Sequence, residues 1–108
     1  MNININTTEN EQEYLIVIEG ELDVYTAPEL QQVLEPIRQS GSHDIKIDLT
    51  DVNYMDSTGL GIFVGTLKDL NQHDKELYVI GVSKRILRLF EITGLRDLMH
   101  INEASEVE

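Results

Sequence analysis

The stretch Val52-Asn-Tyr-Met-Asp-Ser-Thr-Gly-Leu-Gly-Ile-Phe-Val-Gly65 holds the densest set of groups able to do chemistry. Asp56, Ser57 and Thr58 stand just ahead of an apolar run with helical spacing, which predicts that they open a helix. A helix start leaves backbone N–H groups unpaired and carries about half a positive charge, so it receives phosphate readily. A hydroxyl there is a natural attachment point. Gly59, Gly61 and Gly65 have no side chains, which would let another protein approach the first turns closely, at a cost in intrinsic helicity. The same residues also have a purely structural reading, since Asp, Ser and Thr ahead of an apolar helix commonly act as caps. The reciprocal capping box is incomplete, because Leu60 stands where Glu or Gln would be needed three residues after Ser57.

Catalytic patterns fail on spacing. Gly59-x-Gly61 is followed by Val64 rather than glycine, which breaks the dinucleotide-binding pattern, and no Gly-Lys-Ser/Thr ending exists for a nucleotide phosphate loop. Ser57 lacks the upstream glycine of a nucleophile elbow. His43, His73 and His100 are far apart, without cysteine or acidic partners in ligand spacing, and read as surface residues. Asp48, Asp51 and Asp56 could gather a divalent cation at a strand end, or serve the loop and the cap. No cofactor is implied.

The elements that position these groups follow from periodicity. Tyr14 to Ile18 is β-branched and aromatic and closes on Gly20, which predicts a strand, and the Asn-Ile-Asn-Ile opening reads as a possible second, edge strand. Thr26 is placed to cap a helix with Pro28 in its first turn and Glu29 near its positive end. Leu30, Val33, Leu34 and Ile37 form its buried stripe, with Pro36 late enough to kink or end it and Gly41 at the turn. Asp44 to Thr50 alternates, putting Ile45, Ile47 and Leu49 on one face of a strand, and Asp51 to Asp56 reads as a short connection. Leu60, Phe63, Val64, Leu67 and Leu70 define the second helix; Leu77 to Val82 is a buried strand. Ser83 caps a third helix carrying Ile86, Leu87, Leu89, Phe90 and Ile92, and Gly94 ends it. Strands alternating with helices specify an α/β domain with a mixed sheet of about four or five strands.

Residues 1–108 read as a single domain with loose acidic ends, Met1 to Glu13 and Asn102 to Glu108. The net charge of −12 disfavours nucleic acid and anionic membranes as partners and favours a protein with a basic face. Four of the eight basic residues, Lys84, Arg85, Arg88 and Arg96, fall within one short span, as a solvated helix face or a docking surface. No cysteine is present, which excludes disulfides and zinc–thiolate sites, and the opening residues lack the basic start and apolar run of a secretory signal. A cytoplasmic location is expected.

Met55-Asp-Ser-Thr-Gly-Leu-Gly61, with Gly20-Glu-Leu-Asp-Val24 upstream and Leu89-Phe-Glu-Ile-Thr-Gly-Leu95 downstream, resembles the bacterial anti-sigma factor antagonists of the sulfate-transporter and antagonist (STAS) domain family. Within that family the chain is similar to antagonists serving the general stress-response sigma factor of Gram-positive bacteria. The resemblance implies a STAS-like fold with helices mainly on one face of the sheet, and a non-enzymatic, partner-switching role. In that cycle the unphosphorylated antagonist binds an anti-sigma factor that is also a serine kinase, freeing the sigma factor. Phosphorylation of the motif serine, here Ser57, ends binding, and a metal-dependent serine phosphatase reverses it. Thr58 offers an alternative site. The partner-binding residues implied are Asp23, Asp56, Ser57, Thr58, Gly59 and Gly61, with Asp23 open to a second reading as the turn residue leading to Thr26. Two other functions stand beside this one: a small metal- or nucleotide-dependent enzyme, and a constitutive adaptor in which Asp56 and Ser57 only cap.

Overall fold

Ile16 and Ile18, then Ile45, Ile47 and Leu49, then Leu77 and Val79 are each fully or almost fully buried at alternate positions, while their neighbours stay partly open. That alternation lays one face of a sheet against the helices and leaves the other face wetter. In the computed structural model, which describes residues 2–103, the elements are β1 (Ile3–Glu9), β2 (Glu13–Leu22), α1 (Ala27–Ser40), β3 (Asp44–Met55), α2 (Ser57–Gln72), β4 (Leu77–Val82), α3 (Lys84–Ile92), a 3₁₀ turn (Leu95–Leu98) and β5 (His100–Glu103).

The strand order is β1-β2-β3-β4-β5, with β1 antiparallel to β2 and every other pair parallel. Each β–α–β step moves one place in the same direction. Right-handed crossovers then carry α1, α2 and α3 to the same face, the arrangement that the family resemblance implies. The helices reach the sheet through Leu30 and Leu34 of α1, Phe63 and Leu70 of α2, and Phe90 of α3, all fully buried. Phe63 and Phe90 meet edge to face at 5.5 Å, joining α2 to α3. Arg38, near the end of α1, ties that helix to α2 through an ion pair of 3.0 Å with Asp69.

Several expectations are corrected. Within the segment expected to be loose, Ile3–Glu9 is the edge strand that the Asn-Ile-Asn-Ile alternation suggested, paired along its whole length with β2 and anchored by buried Ile3, while Met1 lies outside the described residues. At the other end Asn102 and Glu103 belong to β5, and residues 104–108 lie outside the described residues. Asp51 to Met55 is not a connection but the second half of β3, which pairs with β2 across two register shifts. Those shifts put Leu49, Val52 and Met55, three residues apart, on the buried side and so erase the period-two signal. Pro36 neither ends nor interrupts α1, whose last turn continues to Ser40. Val64 and Ile92 face outward, and Ile62 takes the core position on α2 that the stripe assigned to Val64.

Candidate modification and docking site

Asp56 has an extended backbone and is the N-cap of α2. Its carboxylate accepts the backbone N–H of Thr58 at 2.9 Å and of Gly59 at 3.3 Å. Its own N–H donates to the carbonyl of Leu22 at 3.3 Å, which fastens the helix start to the end of β2. Capping is thus the work of Asp56 alone. Ser57 is the first residue of α2 and is exposed, and its hydroxyl makes no hydrogen bond to another described residue. Thr58 is also exposed.

Asp23 is buried, and its carboxylate accepts the N–H groups of Tyr25 at 2.9 Å and Thr26 at 3.1 Å. The Thr26 hydroxyl accepts from the Asp23 N–H at 3.0 Å and donates to the Glu21 carbonyl at 2.8 Å. These bonds make Asp23 the organiser of the turn between β2 and α1, the second of its two readings. They also correct the role of Thr26, whose side chain does not cap α1 because it is turned back toward the strand.

The turn held by Asp23 lifts Val24 and Tyr25 into solvent, 57% and 76% exposed, and Tyr54 at the end of β3 is 46% exposed. With Glu21, Asp23 and Asp56 they line a cleft of about 390 Å³ beside the start of α2. Aromatic side chains with rigid apolar faces are common anchors of protein interfaces. Sequence reasoning missed Tyr25 and Tyr54, although each adjoins a residue it singled out; their exposure depends on a turn and a bulged strand that periodicity does not reveal.

The three glycines differ. Gly59 is buried, and a Cβ there would lie 2.9 Å from the Cγ atoms of both Leu22 and Met55, so its bareness lets α2 pack close to the sheet. Gly65 gives room to Arg38, whose Nη1 would be 2.8 Å from an added Cβ. Gly61 is exposed with open space around it, and is the one of the three that offers close approach from outside.

Asp48, Asp51 and Asp56 are not gathered. Asp48 accepts from the N–H and hydroxyl of Thr50 at 2.9 and 2.6 Å, Asp56 caps α2, and among the described residues no three acidic or imidazole side chains converge to hold a cation. The histidines are likewise dispersed. His100 contacts Glu76 at 2.9 Å and stacks on Tyr78, and His73 meets the Asp69 carbonyl at 2.9 Å. His43 is half-buried rather than a surface residue, and stands 3.5 Å from Glu9 on the edge strand. Among the described residues no helix is long and apolar enough to cross a membrane.

A mixed five-stranded sheet with three helices, presenting an exposed serine hydroxyl at the start of α2, defines a small α/β domain. The STAS domain model matches residues 4–107. The anti-sigma-B factor antagonist of Staphylococcus aureus is 66% identical over 108 residues, covering 100% of both chains. A solved anti-sigma factor antagonist from Mycobacterium paratuberculosis superimposes with a TM-score of 0.84 at 24% identity, covering 94% of this chain and 86% of that one. The Bacillus cell fate determinant SpoIIAA in its phosphorylated form gives a TM-score of 0.75 at 20% identity, covering 95% and 93%. The chain belongs to the STAS domain family, among its anti-sigma factor antagonists.

Proposed function

We propose that the chain is a cytoplasmic, non-catalytic partner switch, in which the form with a free Ser57 hydroxyl binds an anti-sigma factor with serine kinase activity and phosphate on Ser57 ends that binding. The observation that carries this reading is the division of labour at the start of α2: Asp56 supplies the cap, and Ser57 remains exposed and unengaged. The existence of a phosphorylated form of SpoIIAA, which shares the fold, supports it. A metal-dependent serine phosphatase completes the cycle.

Phosphate adds roughly −1.5 to −2 charges. They arrive next to the Asp56 carboxylate, at the rim of the cleft lined by Tyr25 and Tyr54. In the free domain solvent and the helix start both receive them. In a complex the group must be desolvated beside an existing negative charge, and a penalty of about 3 kcal/mol already weakens binding more than a hundredfold. Asp23 contributes by holding the turn that presents Tyr25, Gly59 by seating α2, and Thr58 and Gly61 by lying on the covered surface.

Incubation with the cognate kinase and ATP, site mapping by mass spectrometry and a pull-down of both forms test this reading. Modification at Ser57 with loss of the kinase from the modified form is the expected result. Ser57→Ala stays bound and unmodified, whereas Ser57→Asp is released; equal binding by the two variants would instead make the chain a constitutive adaptor.

A further inference from the structure

Of the two edges of the sheet, β1 carries none of the features that keep an edge from pairing. Natural edge strands are kept short, bulged, or interrupted by proline or charge, because their free N–H and C=O groups otherwise recruit another strand. β1 runs for seven residues, Ile3–Glu9, and each has its partner on β2 without a register shift. From Ile3 to Thr8 it holds neither proline nor charge, in a chain 26% of whose residues are charged. A charge-free strand is ordinary inside a sheet, as β4 is here, but not at its rim. The opposite edge is guarded: β5 has four residues, begins with His100, ends with Glu103 and slips register against β4.

The ladder determines which groups of β1 are free. Just before the strand the Glu21 N–H donates to the Asn2 carbonyl at 3.3 Å, and just after it the Asn10 N–H donates to the Glu13 carbonyl at 3.0 Å. Both bonds share the register of the pairs between them. Bonded and unbonded pairs alternate along an antiparallel ladder, so Asn4, Asn6 and Thr8 turn their backbone groups to β2. Those of Ile3, Ile5, Thr7 and Glu9 therefore point outward, at every second residue, as a further antiparallel strand requires.

β1 is its own complement. A second β1 running the other way about an axis at Asn6 sets Ile3 opposite Glu9 and Ile5 opposite Thr7, so the outward groups of both strands exchange hydrogen bonds. Asn6 then faces Asn6, and Asn4 faces Thr8, all exposed in the single chain and able to bond across strands through neutral amides and hydroxyls. Glu9, the one charge on the strand, ends about 20 Å from its copy, beyond the screening length of about 8 Å. The net charge of −12 opposes association all the same. An edge about 24 Å long also falls short of a standard interface of about 800 Å² a side, so the dimer is weak and forms at high concentration. Pairing occupies β1 in both copies and β5 is guarded, so the assembly closes as a symmetric dimer instead of growing.

We propose that the free edge of β1 pairs antiparallel with the same edge of a second copy, about an axis at Asn6, to give a dimer with one continuous sheet. The proposal is independent of the reading of Ser57. Sedimentation equilibrium of the full chain, from micromolar to millimolar concentration and at low and physiological salt, tests it. A reversible monomer–dimer equilibrium that tightens as salt screens the net charge is expected. Asn6→Lys sets two cations face to face, and Thr7→Pro removes an outward N–H without touching the ladder to β2; each is expected to raise the dimer Kd about tenfold or more. Asn6 is exposed, so Asn6→Lys keeps the wild-type unfolding midpoint. The chain has no cysteine, which makes single cysteine variants clean reporters of register. Copies of residue 6 form an unbonded pair with Cα atoms about 4.5 Å apart, within disulfide reach, whereas copies of residue 4 lie about 14 Å apart. Oxidation is therefore expected to link Asn6→Cys into a dimer and to leave Asn4→Cys monomeric. A wild type that stays monomeric at millimolar concentration overturns the proposal, as does a dimer that survives both edge variants, weakens with salt, or cross-links equally at positions 4 and 6.

Discussion

The Asp56 carboxylate accepts the Thr58 N–H at 2.9 Å, and this bond determines what the residue between them is free to do. With the cap supplied from the preceding position, the Ser57 hydroxyl has no structural duty at the helix end. Asp56→Ala should therefore cost about 1 kcal/mol of stability, and Asp56→Asn, which keeps the acceptor, only a few tenths. Urea unfolding of the two variants measures this. A stable Asp56→Ala would mean that Ser57 can take over the cap, and its hydroxyl would then lose its claim to be a free modification point.

Gly59 and Gly61 sit two residues apart on α2 and should respond oppositely to the same substitution. A methyl at 59 meets Leu22 and Met55 at 2.9 Å in the packed interior, so Gly59→Ala should destabilise by about 1–3 kcal/mol. At 61 the methyl meets nothing within 4 Å, and the gain in helix propensity should stabilise the free chain by up to about 1 kcal/mol. If Gly61 is covered in the complex, that more stable variant binds the anti-sigma factor less well. Thermal unfolding and affinity measured on the same samples separate the two effects.

The contrast between these glycines marks where sequence stops informing. Their spacing is visible in the chain, but which one faces the sheet follows from a helix rotation that buries Ile62 and Thr66 and turns Val64 outward. The α/β alternation, the start of α2 at Ser57 and the Ser83 cap, which accepts the Ile86 N–H at 3.2 Å, were legible because each rests on local spacing. The second half of β3 was not, because two register shifts against β2, one between Val17 and Glu19 and one just after Gly20, replace alternation by a repeat of three. Nor was the Tyr25–Tyr54 cleft: it is made by the Asp23 turn and a strand end that only tertiary pairing brings together.

That cleft carries its own prediction. Tyr25 and Tyr54 are exposed in the free chain, so replacing either by alanine should change stability by no more than about 0.5 kcal/mol. As central aromatic anchors they should each cost the complex about 2 kcal/mol, some thirtyfold in Kd. Calorimetric titration against the anti-sigma factor, beside urea unfolding of each variant, gives both numbers. Wild-type affinity in the double variant would remove the cleft from the interface.

Phosphate on Ser57 should leave the free domain almost as stable as before. The dianion gains about 0.3–1 kcal/mol from the start of α2 and loses on the order of 1–2 kcal/mol to Asp56 across solvent, so the net cost should be about 1 kcal/mol. No buried contact has to break, because the hydroxyl is exposed and unbonded. Amide shifts should move only near Asp56 to Leu60 and in the Asp23 turn, while the core amides of β2 and β3 keep their positions. Shift changes spread across the sheet, or a loss beyond about 3 kcal/mol in unfolding, would mean that phosphate acts by refolding the domain, and the local charge mechanism would be wrong.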